Sequence, residues 1–547
     1  MTELRHERLL RFFPSLTDVA FILPVLFLLG FGGNGLSRML EGDTGWHVRA
    51  GDWMRLHGQV PTTDIFSFSK EGQPWCAYEW LSEIIFSWLH QWGGLAAVVL
   101  FSTFLLCLTF AWLFRLTRRK SGHEFIAIIL TAMAIQCSSI HWWARPHLFT
   151  LLFIVIFYDL LERVKAGQTR LLIALPLITV FWTNVHAGFI PGVVLIGIYA
   201  ADLWIQALVT GSGAERRELF RRSIPYLYSI AGCVVASLAN PYGYKLHVHV
   251  LHTLTGGDSP LYRYISEWQS TNFHNPMTLL FQVMIVLGLF AALWKALHRE
   301  FVYVLAIVGG MHMGLVAGRH IPIFFILATP LVAEGIVEGL HRLANADLAV
   351  WLRRVCSMVR ESGSEYAAMD RVPRVYASSA LAFALLVLIV YIPNPPRRFR
   401  AEYSPKSYPV AAVDFLKREG VEARGLFADD EWGDYLIYRL TPSVKVFVDG
   451  RVDFYGLTFT ENWISAARGR YDWEEKLFRR YNIHTVLLSV NSSLSSTLKE
   501  SRRWRVVYDD GVAIVFRAAG TRGFLGGALG AASSTVNLEQ PNRRINS

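Results

Sequence analysis

Cysteine is scarce and badly spaced for chemistry in this 547-residue chain: the five residues Cys76, Cys107, Cys137, Cys233 and Cys356 form no CxxC or Cys/His spacing. That excludes a structural zinc module and a disulfide framework. No GxxxxGK[ST], no GxGxxG between a strand and a helix, and no HExxH occurs, so an ATP-driven pump, a dinucleotide enzyme and a zinc protease are excluded in turn. Charge is also sparse, at 18% of residues. What fills the chain instead is apolar: 53% hydrophobic residues and 14% aromatics, more than one soluble core can use. This is the composition of a polytopic α-helical membrane protein. The net charge of +10 then reads as loop topology, with no nucleic acid partner implied.

With about 17 to 25 apolar residues per crossing as the yardstick, about eleven transmembrane helices are expected. They lie near residues 18–37, 94–114, 124–140, 148–162, 171–186, 188–208, 224–240, 276–294, 301–317, 321–339 and 375–393. The first has a long apolar core and no small-x-small cleavage site, so it reads as a retained anchor. Alternate loops differ in Lys and Arg: the set 1–17, 115–123, 163–170, 210–223, 295–300 and 341–374 holds 22, the other set eight. The basic set is cytoplasmic by the positive-inside rule. The N-terminus is therefore expected inside, and loop 40–92 and the chain from residue 394 outside.

Polar residues gather on that outer face. Loop 40–92 opens with "GDTGWHVRAGD" and carries Asp43, His47, Arg49, Asp52 and Asp64; "HWWARPH" adds His141, Arg145 and His147; "WTNVHAGF" adds Asn184 and His186; "ANPYGY" adds Asn240; "YISEWQS" adds Glu267; "AGRHIP" adds Arg319 and His320. Singly, each has an ordinary reading. A His or Trp at a span end is an interfacial anchor, an arginine snorkels, Asp64 in "VPTTDIF" suits a turn, and Asp52 a solvated helix. Three very short hairpin tips carrying His, Arg and Asn on one face are harder to explain that way, because ionisable groups at membrane depth are costly. Guanidiniums suit a phosphate, and a carboxylate such as Asp43 suits a general base. A donor carried on a lipid phosphate would explain a site at the bilayer surface.

The succession "DTGWHVRAGDWMRLHGQVPTTDIFSFSKEGQPWCAYEWLSE", "ARPHLF", "WTNVHAGF", "ANPYGY", "EWQS" and "GRHIPIF" resembles bacterial polyprenyl-phosphate-sugar-dependent glycosyltransferases of the GT-C class. That class includes protein O-mannosyltransferases, aminoarabinose transferases acting on lipid A, and galacturonosyltransferases. The resemblance runs to about residue 393. It implies a catalytic acid soon after the first span, which here is Asp43, and a polyprenyl-phosphate-linked sugar donor bound by His47, Arg145, His147, Asn184, His186, Arg319 and His320. The acceptor would be an envelope glycan, lipid or protein outside the bacterial cytoplasmic (inner) membrane. Where relatives carry an acidic pair, Asp43 is followed by Thr44 and Gly45, so Asp64 or Glu79 would be the second acid, with Asp52 a further choice. Asp43 with Asp64 or Glu79 could hold Mg²⁺ or Mn²⁺ through oxygen ligands; no cofactor is certain.

In the same loop, Trp80, Leu81, Ile84, Ile85, Trp88 and Leu89 recur at helical spacing beside Glu79 and Glu83, the pattern of an amphipathic surface helix. Loop 241–275 is long enough for a second lid. Residues 394–519 alternate strand-like "GLFA", "KVFVDGR", "HTVLLSV", "WRVVYDD" and "VAIVFRA" with helical stretches, which predicts a small exterior α/β domain closed by a "YDDG" hairpin. Its acids (Asp429, Asp430, Asp434, Asp449, Asp453) read as structural turn and cap residues. Residues 520–547, rich in Gly, Ala, Ser and Asn, read as a disordered tail. Two other functions fit the composition: a transporter or flippase for an anionic lipid or solute, and a non-catalytic assembly protein.

Overall fold

The computed structural model describes residues 11–30, 34–255, 259–346, 349–369, 374–470 and 472–519. The expected tail 520–547 lies outside them. A helix occupies each of the eleven expected spans: Leu16–Gly30, Trp80–Ser121, Glu124–Ser138, His147–Lys165, Ala174–Val185, Ile190–Val209, Gly213–Ala236, Leu279–Leu297, Phe301–Val316, Ile321–Asn345 and Ala377–Tyr391. Among the described residues, five helical stretches are long and apolar enough to cross a membrane, by length and composition alone. Four more are apolar but shorter. His147–Lys165 and Gly213–Ala236 are not among these nine, because charges such as Glu162, Arg163, Arg216 and Arg217 crowd one end of each.

Helix Ile321–Asn345 sits at the centre. Every residue from Ile321 to Ala333 is buried, as in a helix surrounded on all sides. The long helix Trp80–Ser121 packs on it, and Thr103, Thr109 and Thr117 return their hydroxyls to the carbonyls four residues back at 2.8 Å, so these three hydroxyls are satisfied within the helix. The first and last of these eleven helices are tied by Asp18, whose Oδ1 accepts from Ser379 N at 3.1 Å and Ser379 Oγ at 2.6 Å.

Loop 40–92 is largely helical. Glu41 and Thr44 form a reciprocal capping box that starts Gly42–His57, and Gly58 in the left-handed region ends it. Asp43 therefore sits in a helix's first turn and is 7% exposed, where a loop residue facing water was expected. The amphipathic segment from Trp80 runs into the next span across a bend at Gly93 and Gly94, so it is both a separate helix and a lead-in.

Beyond Tyr391 the chain forms a four-stranded sheet in the order β1-β2-β4-β3, with β1 Leu426–Phe427, β2 Thr485–Ser489, β3 Trp504–Asp509 and β4 Ala513–Ala518. β1 pairs parallel to β2; the β3–β4 hairpin turns at Gly511, as "YDDG" predicts. The expected strand in "KVFVDGR" does not join this sheet. It makes one bridge, Ser67 with Val446, because its backbone bonds run to the first loop: Val446 N to Phe66 O and Phe68 N to Val446 O, both 3.0 Å. Buried Tyr403, Tyr435 and Val446 accordingly share one apolar cluster with Trp46 and Phe66.

Candidate functional site

The capping box fixes Asp43 at the mouth of a cavity of about 1540 Å³ that reaches from the first loop down among the helices. Its polar end is a chain of ion pairs. Arg145, presented by the turn before His147–Lys165, meets Asp43 Oδ2 through Nη2 at 2.6 Å and approaches Glu41 at 3.5 Å and Glu267 at 3.6 Å through Nη1. Arg319 Nη1 meets Glu267 Oε1 at 3.1 Å, and its guanidinium lies 4.3 Å from the Trp268 ring centre. Trp46 Nε1 donates to Asp43 Oδ1 at 3.0 Å. Asp43 is thus held in one orientation from two sides.

The cavity brings together Asp43, His47, Glu79, Arg145, His147, His186, Arg319 and His320, drawn from the first loop and three hairpin tips. The three hairpin tips account for five of them. His147 Nε2 lies 2.9 Å from the His141 carbonyl, His186 Nδ1 2.8 Å from Thr150 Oγ1, and His320 Nδ1 3.3 Å from the Met313 carbonyl, so each ring has one nitrogen fixed.

Three candidates stand elsewhere. Asn184 accepts from Trp80 Nε1 at 2.8 Å and donates to the carbonyls of Val180 (2.7 Å) and Ala239 (2.8 Å), so its amide braces helices and does not line the cavity. Asp64 is also off the cavity. Its carboxylate accepts from Arg451 Nη2 at 2.8 Å and Ser67 Oγ at 2.6 Å, docking the C-terminal segment onto the first loop. A cation held by Asp43 with Asp64 is therefore not what the fold assembles. Asp52 is likewise engaged, with Arg49 at 2.8 Å and Ser87 at 2.5 Å.

What does assemble is a different acid. Helix Asp430–Leu440 packs across Gly42–His57 and brings Asp434, 2% exposed, to the cavity wall. Its Oδ1 accepts from Gly450 N at 2.9 Å. A Cβ on Gly450 would collide with both Asp43 Oδ1 and Asp434 Oδ2, so the two carboxyls flank one gap that only glycine leaves open. Burial, reinforced by the neighbouring Asp43 charge, pushes the Asp434 carboxyl well above its usual range. Asp430 and Asp453 line the cavity as well, while Asp449 is structural, bound by Arg451 at 2.7 Å and Tyr455 at 2.8 Å. Glu41 looks like a cap in the sequence, and Asp434, read there as a structural acid, lies 391 residues from Asp43 yet lines the cavity.

Beside this acid pair, His47, Glu79 and Glu83 form a buried group whose ligand atoms lie within 4.8 Å of one another. Burial pushes Glu79 up to about 8 and His47 well down.

Away from the charges the cavity is apolar. Ile190, Val194 and Ile198 recur every four residues along one helix face, opposite Ala306, Gly309, Gly310 and Met313 of another, with Leu151, Ile154, Ile323 and Leu327 completing the groove. It descends about 12 Å at 1.5 Å per residue. Val194 in this groove is 54% exposed.

No protein-family model matches the sequence, and no curated protein sequence matches it. Solved structures do. The archaeal oligosaccharyltransferase AglB from Archaeoglobus fulgidus, in complex with an inhibitory peptide and a dolichol-phosphate, aligns over 94% of this chain and 75% of its own, at 13% identity and a TM-score of 0.51. A second oligosaccharyltransferase structure from that organism, with Zn and sulfate, covers 87% and 68% at 12% identity and a TM-score of 0.47. ArnT from Cupriavidus metallidurans in the apo state covers 91% and 97% at 14% identity and 0.49. The AglB likeness shows the fold: the chain has the GT-C-like architecture that its motifs resemble.

Proposed function

We propose that this chain is a membrane glycosyltransferase that moves a sugar from a polyprenyl-phosphate carrier to a hydroxyl-bearing envelope acceptor at the non-cytoplasmic face. The observation that carries this reading is one cavity that is charged at one end and apolar at the other. That is the shape of a lipid phosphate: a polar head beside Arg319 and His320, and an isoprenoid tail along Ile190, Val194 and Ile198. AglB, whose fold the chain shares, is described with a dolichol-phosphate.

In this reading Asp43 takes the proton from the acceptor hydroxyl as its oxygen bonds to the sugar's anomeric carbon. The bond from that carbon to the phosphate oxygen breaks, and polyprenyl phosphate leaves. Arg145 keeps Asp43 aimed, through an ion pair at 2.6 Å. Arg319 is the phosphate ligand, because one nitrogen engages Glu267 and a guanidinium has five N–H donors to share. His186 and His147 line the same end and face the sugar. A transporter is less well served, because the charges gather at the ends of the helices, whereas transport sites lie near the midplane.

The test is mass spectrometry of envelope lipids and glycans from a deletion strain, followed by transfer assays with the purified protein and radiolabelled polyprenyl-phosphate sugars. Loss of one sugar, restored by the wild-type chain and not by Asp43→Asn, is the expected result. An unchanged envelope with lipid movement across liposomes would replace the reading with a flippase.

A further inference from the structure

We propose that His47, Glu79 and Glu83 bind a divalent cation of the zinc class in the cavity wall, with a coordination position left toward the cavity. Three observations, independent of any reaction, point there.

The first is how the group is built. Glu79 and Glu83 stand four residues apart at the start of helix Trp80–Ser121, one turn above the other on the same side. His47 reaches them from helix Gly42–His57, with Nε2 3.6 Å from Glu79 Oε2 and Nδ1 3.2 Å from Glu83 Oε1. The two helices can touch at this level because residue 51 is glycine; a Cβ there would collide with the Glu83 carbonyl. The close approach is thus specific to the turn that carries the group.

The second is an unmet bonding demand. Among the described residues, Glu83 Oε2 is buried with no hydrogen-bond partner, although Glu83 itself is fully buried. A buried carboxylate oxygen without a donor is destabilising. A proton shared within the group would satisfy one carboxylate and leave this oxygen bare, whereas a cation between the carboxylates engages both. Two carboxylates and a neutral imidazole around a divalent ion also sum to zero charge, which is what a buried site requires.

The third is access. All three residues line the cavity, so an ion can enter and its open position can take water or a substrate oxygen. His186 Nε2, 3.3 Å from Glu79 Oε1, holds the far side of that carboxylate. The imidazole decides the class of ion. Carboxylate-only sites suit Mg²⁺ and Mn²⁺, while an imidazole with carboxylates suits zinc and its neighbours. The Mg²⁺ or Mn²⁺ expected from oxygen ligands alone is displaced by this donor set.

The site stands without the functional reading; only the further step, that its open position receives the donor's phosphate oxygen, rests on it. The experiment uses the full chain purified in detergent and stripped with a chelator. Equilibrium dialysis against Zn²⁺ should give one ion per chain, undisplaced by equal Mg²⁺, and Co²⁺ should give a visible d–d band without a sulfur charge-transfer band. Glu83→Gln and His47→Gln should each weaken binding by at least about tenfold, on the scale of perturbed metal sites. Asp43→Asn should leave it unchanged. If Glu83→Gln proves unstable, Glu79→Gln, at the cavity surface, makes the same test. Binding below one equivalent, displacement by Mg²⁺, or binding that survives the His47 and Glu variants overturns the site. Zinc binding as described in a protein that never transfers sugar retains the site and removes the glycosyltransferase; transfer without zinc binding does the reverse.

Discussion

Two of the places where the molecule buries charge are built differently. Around Tyr303, Lys120 pairs with Glu162 at 2.7 Å, Lys165 with Glu300 at 3.1 Å, and Lys295 with Glu300 and Glu334 at 2.6 and 2.8 Å. All three ammonium groups lie within 4.8 Å of the Tyr303 ring centre, and Tyr199 closes the ring of bonds on Glu162. None of these residues lines the cavity. Around Asp43 the charges are also paired, but three carboxylates share two guanidiniums and the set surrounds a void. A cluster that closes on itself braces helices; one that closes on a space is equipped to act on what enters it.

Breaking the brace should give the largest effect, and only on stability. Lys295→Met leaves Glu300 and Glu334 without their shared cation, at a cost of about 3 kcal/mol, the lower end for a disrupted pair because both acids keep some solvent contact. Thermal unfolding in detergent measures this, and transfer per folded molecule should be unchanged; reduced specific activity would erase the contrast.

Next is Asp43→Asn, expected to lower transfer by about 10²-fold while the shape at Arg145 is retained. A rate near wild type would show that Asp43 is not the base. Because Asp43 is buried and paired, abundance must be measured beside the rate.

Filling the groove should have a smaller, different effect. A Cβ on Gly309 meets nothing within 4 Å, so Gly309→Leu projects into space the tail would occupy. About a tenfold rise in KM for the lipid donor, one buried leucine's worth of contact, is expected with kcat kept. An equal fall in kcat would place the groove elsewhere in the reaction.

A further effect is on pH. Burial raises the Asp430 carboxyl from 3.8 to about 7. An acid held above its unfolded value favours the folded form while protonated, so this contribution falls as pH rises from about 4 through 7. Asp430→Asn should flatten the loss in a pH series of unfolding temperatures; an unaltered slope would assign it to Asp434.

The two clusters also show what a sequence makes legible. Apolar runs placed a helix at all eleven expected positions, because burying a length of helix leaves a continuous local record. Hairpin tips such as Arg145 and Arg319 were legible because short turns force neighbours to one face. Asp434 was not, since its place beside Asp43 follows from how β1, helix Asp430–Leu440 and Gly450 stack on the first loop, and no local pattern encodes that. Asn184 and Asp64 failed for a related reason: their types suit a site, but Ala239 and Arg451, distant in sequence, had already claimed them. "KVFVDGR" has strand composition and pairs with the first loop, because period alone does not name a partner.

The gap at Gly450 has a consequence for how the protein is made. A ribosome that has released every helix through Tyr391 has already delivered Asp43, Arg145 and Arg319 to the bilayer, yet Asp434 and the Gly450 turn that complete the wall are still to be translated. The unfinished chain is therefore inserted but lacks one side of its cavity, and it gains that side only when a segment made last threads back onto one made first. A chain cut short after Tyr391 therefore lacks the Asp434 and Gly450 side of the cavity.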